Sequence, residues 1–396
     1  MSSDDAVSRL PARAFRLVVT GGGTGGHTYP ALTAVRTLQA RLGAAGRALD
    51  VLWVGTAEGL EARVAAAEHI PFITVATGKV RRSSNPLKLV SPANVRDMGR
   101  VPLGVAQARS IVSDARPDVV LATGGYVAVP VGLAARMCRR PLVVHEQTVR
   151  LGLANRALAR AATRFAVSSA SSLQYLPEGS RAAAVVTGNP VRPEVLSGYA
   201  DKAVEALGLG RFDRTRPTVY VTGGAQGSQQ INRLVGESLP WLLSQANVIH
   251  QCGPAHEAGL REQATVLPRE LSDRYVVMGF VGPELPDVLA LADVVISRSG
   301  AGTIAELTAL GKAAVLVPLA TSAGNEQEHN ARHLQDSGAA VALLGTATPD
   351  TLREAVAPLL ADPVRRADIA ARARSLGRPD AADRLVDVLL SVVTGE

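Results

Sequence analysis

A strand that ends in a glycine-rich loop and runs straight into a helix occurs twice in this chain. Phe15-Arg-Leu-Val-Val-Thr leads into Gly21-Gly-Gly-Thr-Gly-Gly-His27, and Thr218-Val-Tyr-Val-Thr leads into Gly223-Gly-Ala-Gln-Gly-Ser228. Glycines let a backbone turn tightly and let a ligand approach it closely, and the following helix points its unpaired N–H groups into that space. Around both loops, short apolar runs rich in β-branched residues alternate with Ala/Leu-rich amphipathic stretches. The runs lack polar alternation, as parallel strands buried on both faces do. Thirteen strands are expected, seven in the first half (near 16–20, 51–55, 72–76, 119–122, 142–145, 164–167 and 184–187) and six in the second (near 218–222, 248–251, 275–278, 294–297, 314–318 and 341–344). The fold class is α/β, with two Rossmann-like parallel-sheet domains. The expected division is 1–190, then 191–365, then helices over 366–396 that pack back on the first domain, with Gly188-Asn-Pro-Val-Arg-Pro-Glu194 as linker.

Composition narrows the class. The chain has 396 residues, 47% hydrophobic and 19% charged, enough to bury two cores. Aromatics are only 3%, which argues against single-stranded nucleic-acid binding on stacking platforms. The net charge of +7 suits anionic partners. The two cysteines, Cys138 and Cys252, form neither a disulfide framework nor a zinc motif. The first sixteen residues carry Asp4, Asp5, Arg9, Arg13 and Arg16 and do not read as a signal peptide. The uncharged stretch Val119–Ala135 is broken by Gly124, Gly125 and Pro130, so a cytoplasmic enzyme is the expectation.

Four segments carry chemistry. In the first loop, Gly21, Gly23 and Gly26 satisfy GxGxxG, yet the second strand ends in Gly55-Thr56 without the acidic residue a dinucleotide ribose needs. Anionic or oxyanionic groups are the expected guests of this loop, ahead of a helix starting near Pro30. His27 is either a proton acceptor or a residue that hydrogen-bonds the loop. In the second half, Ser297-Arg-Ser-Gly-Ala-Gly-Thr-Ile-Ala-Glu306 enters a helix after a strand. Gly300, Gly302 and Thr303 suit a diphosphate, while Glu306 either accepts from a ribose diol or favours the helix dipole. Asn325-Glu-Gln-Glu-His-Asn330 follows another strand, and its Gln327 and Asn330 amides suit sugar hydroxyls. Lys79, Arg81, Arg82 and Lys88 stand among Leu87 and Leu89, with Arg96 and Arg100 beyond. Such a basic and aliphatic stretch suits either an anionic membrane surface or an ordinary anchored loop.

Taken in order, the motifs resemble the MurG-type UDP-N-acetylglucosamine transferase family. The resemblance rests on Gly22-Gly-Thr-Gly-Gly-His27 with Pro30, Gly55-Thr56 with Glu61, Gly78-Lys79, Gly124-Gly-Tyr126, His145-Glu-Gln147, Gly152-Leu-Ala-Asn155 and Gly188-Asn-Pro-Val-Arg192. It continues through Gly223-Gly-x-Gln-Gly227, Arg298-Ser-Gly300, Glu306, Gln327 and Asn330. It implies a GT-B architecture, with the two domains facing across a cleft, and an inverting transfer of GlcNAc from UDP-GlcNAc to lipid I, giving lipid II for peptidoglycan. His27 would be the base. Acceptor-side loops would comprise Gly23, Thr24, Gly25, Gly26, Tyr126, His145, Glu146, Gln147 and Thr148. The donor side would comprise Asn155 and Ala225, with Arg192, Gly224 and Gln226 near the diphosphate, Phe280 and Val281 beside uracil, and Ser299, Gly300, Gly302, Thr303, Glu306, Gln327 and Asn330. Membrane contact would fall on Lys79, Arg81, Arg82, Leu87, Lys88 and Leu89. No cofactor or metal is expected, and the partners would be a UDP-sugar, a lipid-linked acceptor and the anionic inner face of the cell membrane, with no nucleic acid. Two positions depart from the family pattern: Ala225 stands where a serine is usual, and Thr148 where an asparagine is usual. They keep open a paralogue that glycosylates another prenyl-phosphate lipid, as in phosphoglycolipid antibiotic assembly. A UDP-sugar epimerase is a rival of another class.

Overall fold

The computed structural model describes residues 7–78 and 92–395. Two compact units form, one from residues 1–190 and 380–396, the other from 191–379.

The first unit is built on a seven-stranded parallel sheet, in the order β3-β2-β1-β4-β5-β6-β7. Its strands are β1 (Phe15–Thr20), β2 (Leu49–Gly55), β3 (Phe72–Thr74), β4 (Val119–Ala122), β5 (Leu142–Glu146), β6 (Arg164–Val167) and β7 (Ala184–Val186). Successive β1 residues serve opposite faces. Leu17 and Val19 pack with Val35, Leu38 and Leu42 of the helix Gly25–Ala44 and with Leu385 and Leu389 of the last helix. Val18 packs on the other side with Val54, Val120 and Val131. Both faces are covered, which is why the strands read as continuous apolar runs.

The second unit holds six parallel strands in the order β10-β9-β8-β11-β12-β13. They are β8 (Thr218–Thr222), β9 (Asn247–Gln251), β10 (Tyr275–Met278), β11 (Val294–Ser297), β12 (Ala313–Leu316) and β13 (Val341–Ala342). In each sheet the order reverses beside the first strand, between β1 and β4 and between β8 and β11. A crevice opens at the carboxyl ends of the strands there. Each glycine loop leaves its sheet at that switch point.

The tail departs from the expected division. The break placed at residue 366 falls inside the helix Pro363–Leu376. That helix belongs to the second unit: Arg374 donates to the Leu310 carbonyl at 2.7 Å, and Ala373 is buried. Gly377-Arg-Pro379 ends it, and only the helix Ala381–Thr394 rejoins the first unit. There Arg41, itself largely buried, pairs with Asp383 at 2.8 Å and with Asp387.

Among the described residues no helix is long and apolar enough to cross a membrane. Lys79, Arg81, Arg82, Leu87, Lys88 and Leu89 lie outside the described residues.

Candidate active site

The first loop is narrower in purpose than its glycines suggest. The helix begins at Gly25 rather than near Pro30, because the Thr24 carbonyl already accepts from the His27 and Thr28 amides. His27 therefore sits in the first helical turn. The expected anionic guest is displaced by a residue of the chain itself. Glu61 is fully buried and accepts from the Gly23 amide at 2.9 Å, the Thr56 amide at 3.1 Å and the Thr56 hydroxyl at 2.6 Å. Burial alone would raise this carboxyl, but the Thr56 and Gly23 hydrogen bonds outweigh it and hold it below the ordinary range. The Gly22 amide is also taken, by the Gly124 carbonyl at 3.3 Å. A second anion beside an ionised Glu61 would meet like charge and amides already in use.

The other residues of this unit gather round His27. Its Nδ1 lies 2.9 Å from Oε1 of Gln147. Gln147 Nε2 is 2.9 Å from both Nδ1 and the carbonyl of His145, whose Nε2 is 2.9 Å from the Gly188 carbonyl. His145 is fully buried, and desolvation pushes it down to about 4, so it is neutral at physiological pH. Gly124 has φ +110°, and a Cβ there would lie 2.9 Å from the His27 ring. Only glycine permits both the backbone and the imidazole.

Glu146, Thr148 and Asn155, expected near substrate, are buried in a local network. Glu146 accepts from the Thr148 amide at 3.1 Å and hydroxyl at 2.8 Å, the Gly152 amide at 2.8 Å and Asn155 Nδ2 at 3.0 Å. The Thr148 hydroxyl is also 2.6 Å from the Arg150 carbonyl. Thr148 thus shapes its own loop. Thr24 and Tyr126 are exposed.

In the second unit the loop after β8 is open. Gly224, Ala225 and Gln226 are exposed, and Gly224 takes φ +88° with no atom within 4 Å of a Cβ position. The Ala225 and Gln226 amides bond to no described residue. Ser228 caps the next helix by accepting from the Ile231 amide at 3.3 Å. Beside it, the helix Ala301–Leu310 begins after Gly300. Its first-turn amides, on Ala301, Gly302 and Thr303, have no partner inside the helix, which suits an anion.

Glu306 falls in the second turn of that helix, beyond the dipole's main reach. Its Oε1 instead accepts from Arg192 Nη2 at 2.8 Å and Nε at 3.2 Å. Gln327 accepts from the Leu319 amide through Oε1 at 3.0 Å, leaving its Nε2 donors for other partners. Ser299 Oγ donates to the Gln327 carbonyl at 2.7 Å, and Asn330 Nδ2 to the Ser299 carbonyl at 3.1 Å. Phe280 is exposed, while the Val281 side chain is in the core. Among the described residues no His, Cys, Asp and Glu side chains cluster as metal ligands do.

Two organisers escaped the sequence reading. Arg298, quoted as part of a motif, ties the ends of β11 and β12 to the start of the helix Gln229–Gln245: it donates to Ser228 Oγ, Gln230 Oε1 and the Val317 and Pro318 carbonyls at 2.7–3.1 Å. Gln251 ends β9, donates to the Gly224 carbonyl at 2.9 Å and accepts from the Val281 amide at 2.9 Å. A polar residue closing an apolar strand was the only available signal for it.

Comparison with known proteins identifies the family and the fold. Residues 17–167 match the glycosyltransferase family 28 N-terminal domain, and residues 218–385 match its C-terminal domain. A UDP-N-acetylglucosamine–N-acetylmuramyl-(pentapeptide) pyrophosphoryl-undecaprenol N-acetylglucosamine transferase of Listeria welshimeri is 34% identical over 381 residues, 96% of this chain and 99% of that protein. The protein of the same name from Desulforudis audaxviator is 36% identical over 382 residues, 94% and 97% of the two chains. The crystal structure of Acinetobacter baumannii MurG superposes with a TM-score of 0.73 at 26% identity, covering 95% of this chain and 99% of that one. A putative UDP-N-acetylglucosamine 2-epimerase of Listeria monocytogenes shares the fold alone, at 17% identity, 96% coverage of each chain and a TM-score of 0.64. The chain belongs to glycosyltransferase family 28 and, within it, to the MurG family of GT-B enzymes.

Proposed function

We propose that this enzyme transfers GlcNAc from UDP-GlcNAc to the undecaprenyl-pyrophosphoryl-MurNAc-pentapeptide acceptor, lipid I, with inversion at the anomeric carbon. The observation that carries the reading is identity of 34% along 96% of the chain to enzymes named for that reaction. The acceptor hydroxyl attacks the anomeric carbon, the bond to UDP breaks, and His27 takes the hydroxyl proton. The open amides after β8 and at the helix Ala301–Leu310 hold the departing diphosphate together with Arg192. Glu306 accepts from the ribose, and Gln327 and Asn330 read the sugar. Because the acceptor is a membrane lipid, the enzyme works at the inner face of the cell membrane, with Lys79–Leu89 as the contact.

The test supplies purified full-length enzyme with radiolabelled UDP-GlcNAc and lipid I in detergent. Label should move into lipid II. Transfer only to a different prenyl-phosphate lipid would overturn the acceptor assignment. Epimerisation of the nucleotide sugar without any acceptor would overturn the transferase reading. Flotation with anionic vesicles should weaken with added salt, and salt-insensitive binding would remove the basic segment from the membrane role.

A further inference from the structure

We infer that Gln147 and His145 are positioning residues that hold His27 in the Nδ1–H tautomer and aim a bare Nε2 at the proton it removes. The inference rests on His27 being the base and adds what prepares it.

One line of hydrogen bonds runs from Gly188 to His27, and its polarity is set at the far end. The Gly188 carbonyl can only accept, so Nε2 of His145, 2.9 Å away, carries a proton. His145 is neutral, so its Nδ1 is bare and accepts. That fixes the Gln147 amide: its two N–H bonds go to His145 Nδ1 and to the His145 carbonyl, both at 2.9 Å. The amide oxygen then faces His27, and Nδ1 at 2.9 Å must donate to it. The opposite tautomer would place two lone pairs against each other at hydrogen-bond distance. With Nδ1 protonated, a neutral His27 has its lone pair on Nε2, which bonds to no described residue. Once Nε2 has taken a proton, Oε1 still accepts from Nδ1, now in a charge-assisted bond. The relay thus serves the imidazole before and after the transfer. No proton travels along it. Gly124 supports the arrangement, because any side chain there would strike the ring.

Two measurements test this on the full-length enzyme. Long-range proton–nitrogen NMR of histidine-labelled protein reports the tautomer of each ring directly. His27 is assigned by its loss in His27→Ala and read at a pH where its shifts have stopped moving. The wild type should show Nδ1–H for His27 and Nε2–H for His145. Gln147→Met, similar in size and unable to hydrogen-bond, should shift His27 toward Nε2–H. It should lower kcat about ten- to a hundredfold, part of what a general base contributes, while KM for UDP-GlcNAc stays within about twofold. An Nε2–H His27 in the wild type overturns the relay, and that result needs no variant to fold. A folded Gln147→Met that loses activity while His27 stays Nδ1–H also overturns it, and makes Gln147 an acceptor contact. If His27→Ala keeps near-full activity while the wild-type tautomer is Nδ1–H, the relay stands as structure and the assignment of His27 as base fails.

Discussion

The loops after β1 and β8 share a pattern and differ in what fills them. In the first, the Gly22 and Gly23 amides are bonded inside the unit, one to a carbonyl and one to the buried carboxylate of Glu61. In the second, Ala225 and Gln226 bond to no described residue through their amides, and the acid of that unit's candidate site, Glu306, is paired with Arg192. One loop is therefore a rigid mount for a side chain, His27, and the other has open amides that suit the proposed anion. Glycine spacing dictates the turn. Whether an acid of the chain sits inside that turn decides what the turn can hold.

The largest test of this contrast removes the mounted group. His27→Ala should lower kcat by roughly a hundred- to ten-thousandfold, the usual range for a lost general base, with UDP affinity little changed. A matching loss of UDP affinity by calorimetry would make the first loop part of the donor site and end the contrast. Next comes the paired acid of the second unit. Glu306→Ala should weaken UDP binding by about 1.5–3 kcal/mol, the value of hydrogen bonds to a charged group. The upper end requires that displacing Arg192 costs little. If helix amides hold the diphosphate as proposed, EDTA should leave UDP affinity unchanged; strict dependence on a divalent cation would defeat that reading.

Glu61→Gln sharpens the comparison from the other side. The new amide would face donors, costing about 1–3 kcal/mol of stability in chemical denaturation, with UDP affinity kept. The pH dependence follows from the same bonds. Since folding lowers the Glu61 carboxyl from 4.5, its contribution is present above that value and is lost as pH falls through the lower folded value. The wild-type advantage over Glu61→Gln should therefore shrink in acid, and an advantage independent of pH would show that the carboxylate charge is not what holds the loop. The smallest effect is expected from Ala225→Ser. A hydroxyl restored to the open turn should tighten UDP by about 0.5–1.5 kcal/mol without altering the melting temperature. Tightening for UDP-GlcNAc alone, and not for UDP, would move position 225 from the phosphates to the sugar.

All thirteen strands were legible in the sequence, within two residues at their ends, because burial on both faces leaves an unmistakable run of apolar residues. The ordered motifs also sufficed to place the family. The site's wiring was not legible, because its bonds join distant residues: Gly23 to Glu61, His27 to Gln147, Arg192 to Glu306. No local pattern reports such pairs. Glu61 was visible as a motif letter, without its duty of filling the first loop. Thr148 read as a missing amide, whereas its hydroxyl is used in its own loop. The tail was misdivided for a related reason: it reads as helical throughout, and only packing assigns Pro363–Leu376 to one unit and Ala381–Thr394 to the other.

That return of the last helix orders events on the ribosome. Every residue of the second unit is made before the first unit is complete. Leu385 and Leu389 complete the apolar layer over Leu17 and Val19 that the helix Gly25–Ala44 begins, so until residues 381–394 emerge, that side of the first sheet is only partly covered. The second unit, continuous in sequence, can close while its elder neighbour is still unfinished. A nascent chain cut short near residue 380 would hold a finished second unit beside a half-built first one, so the two halves mature in the reverse of the order in which they are synthesised.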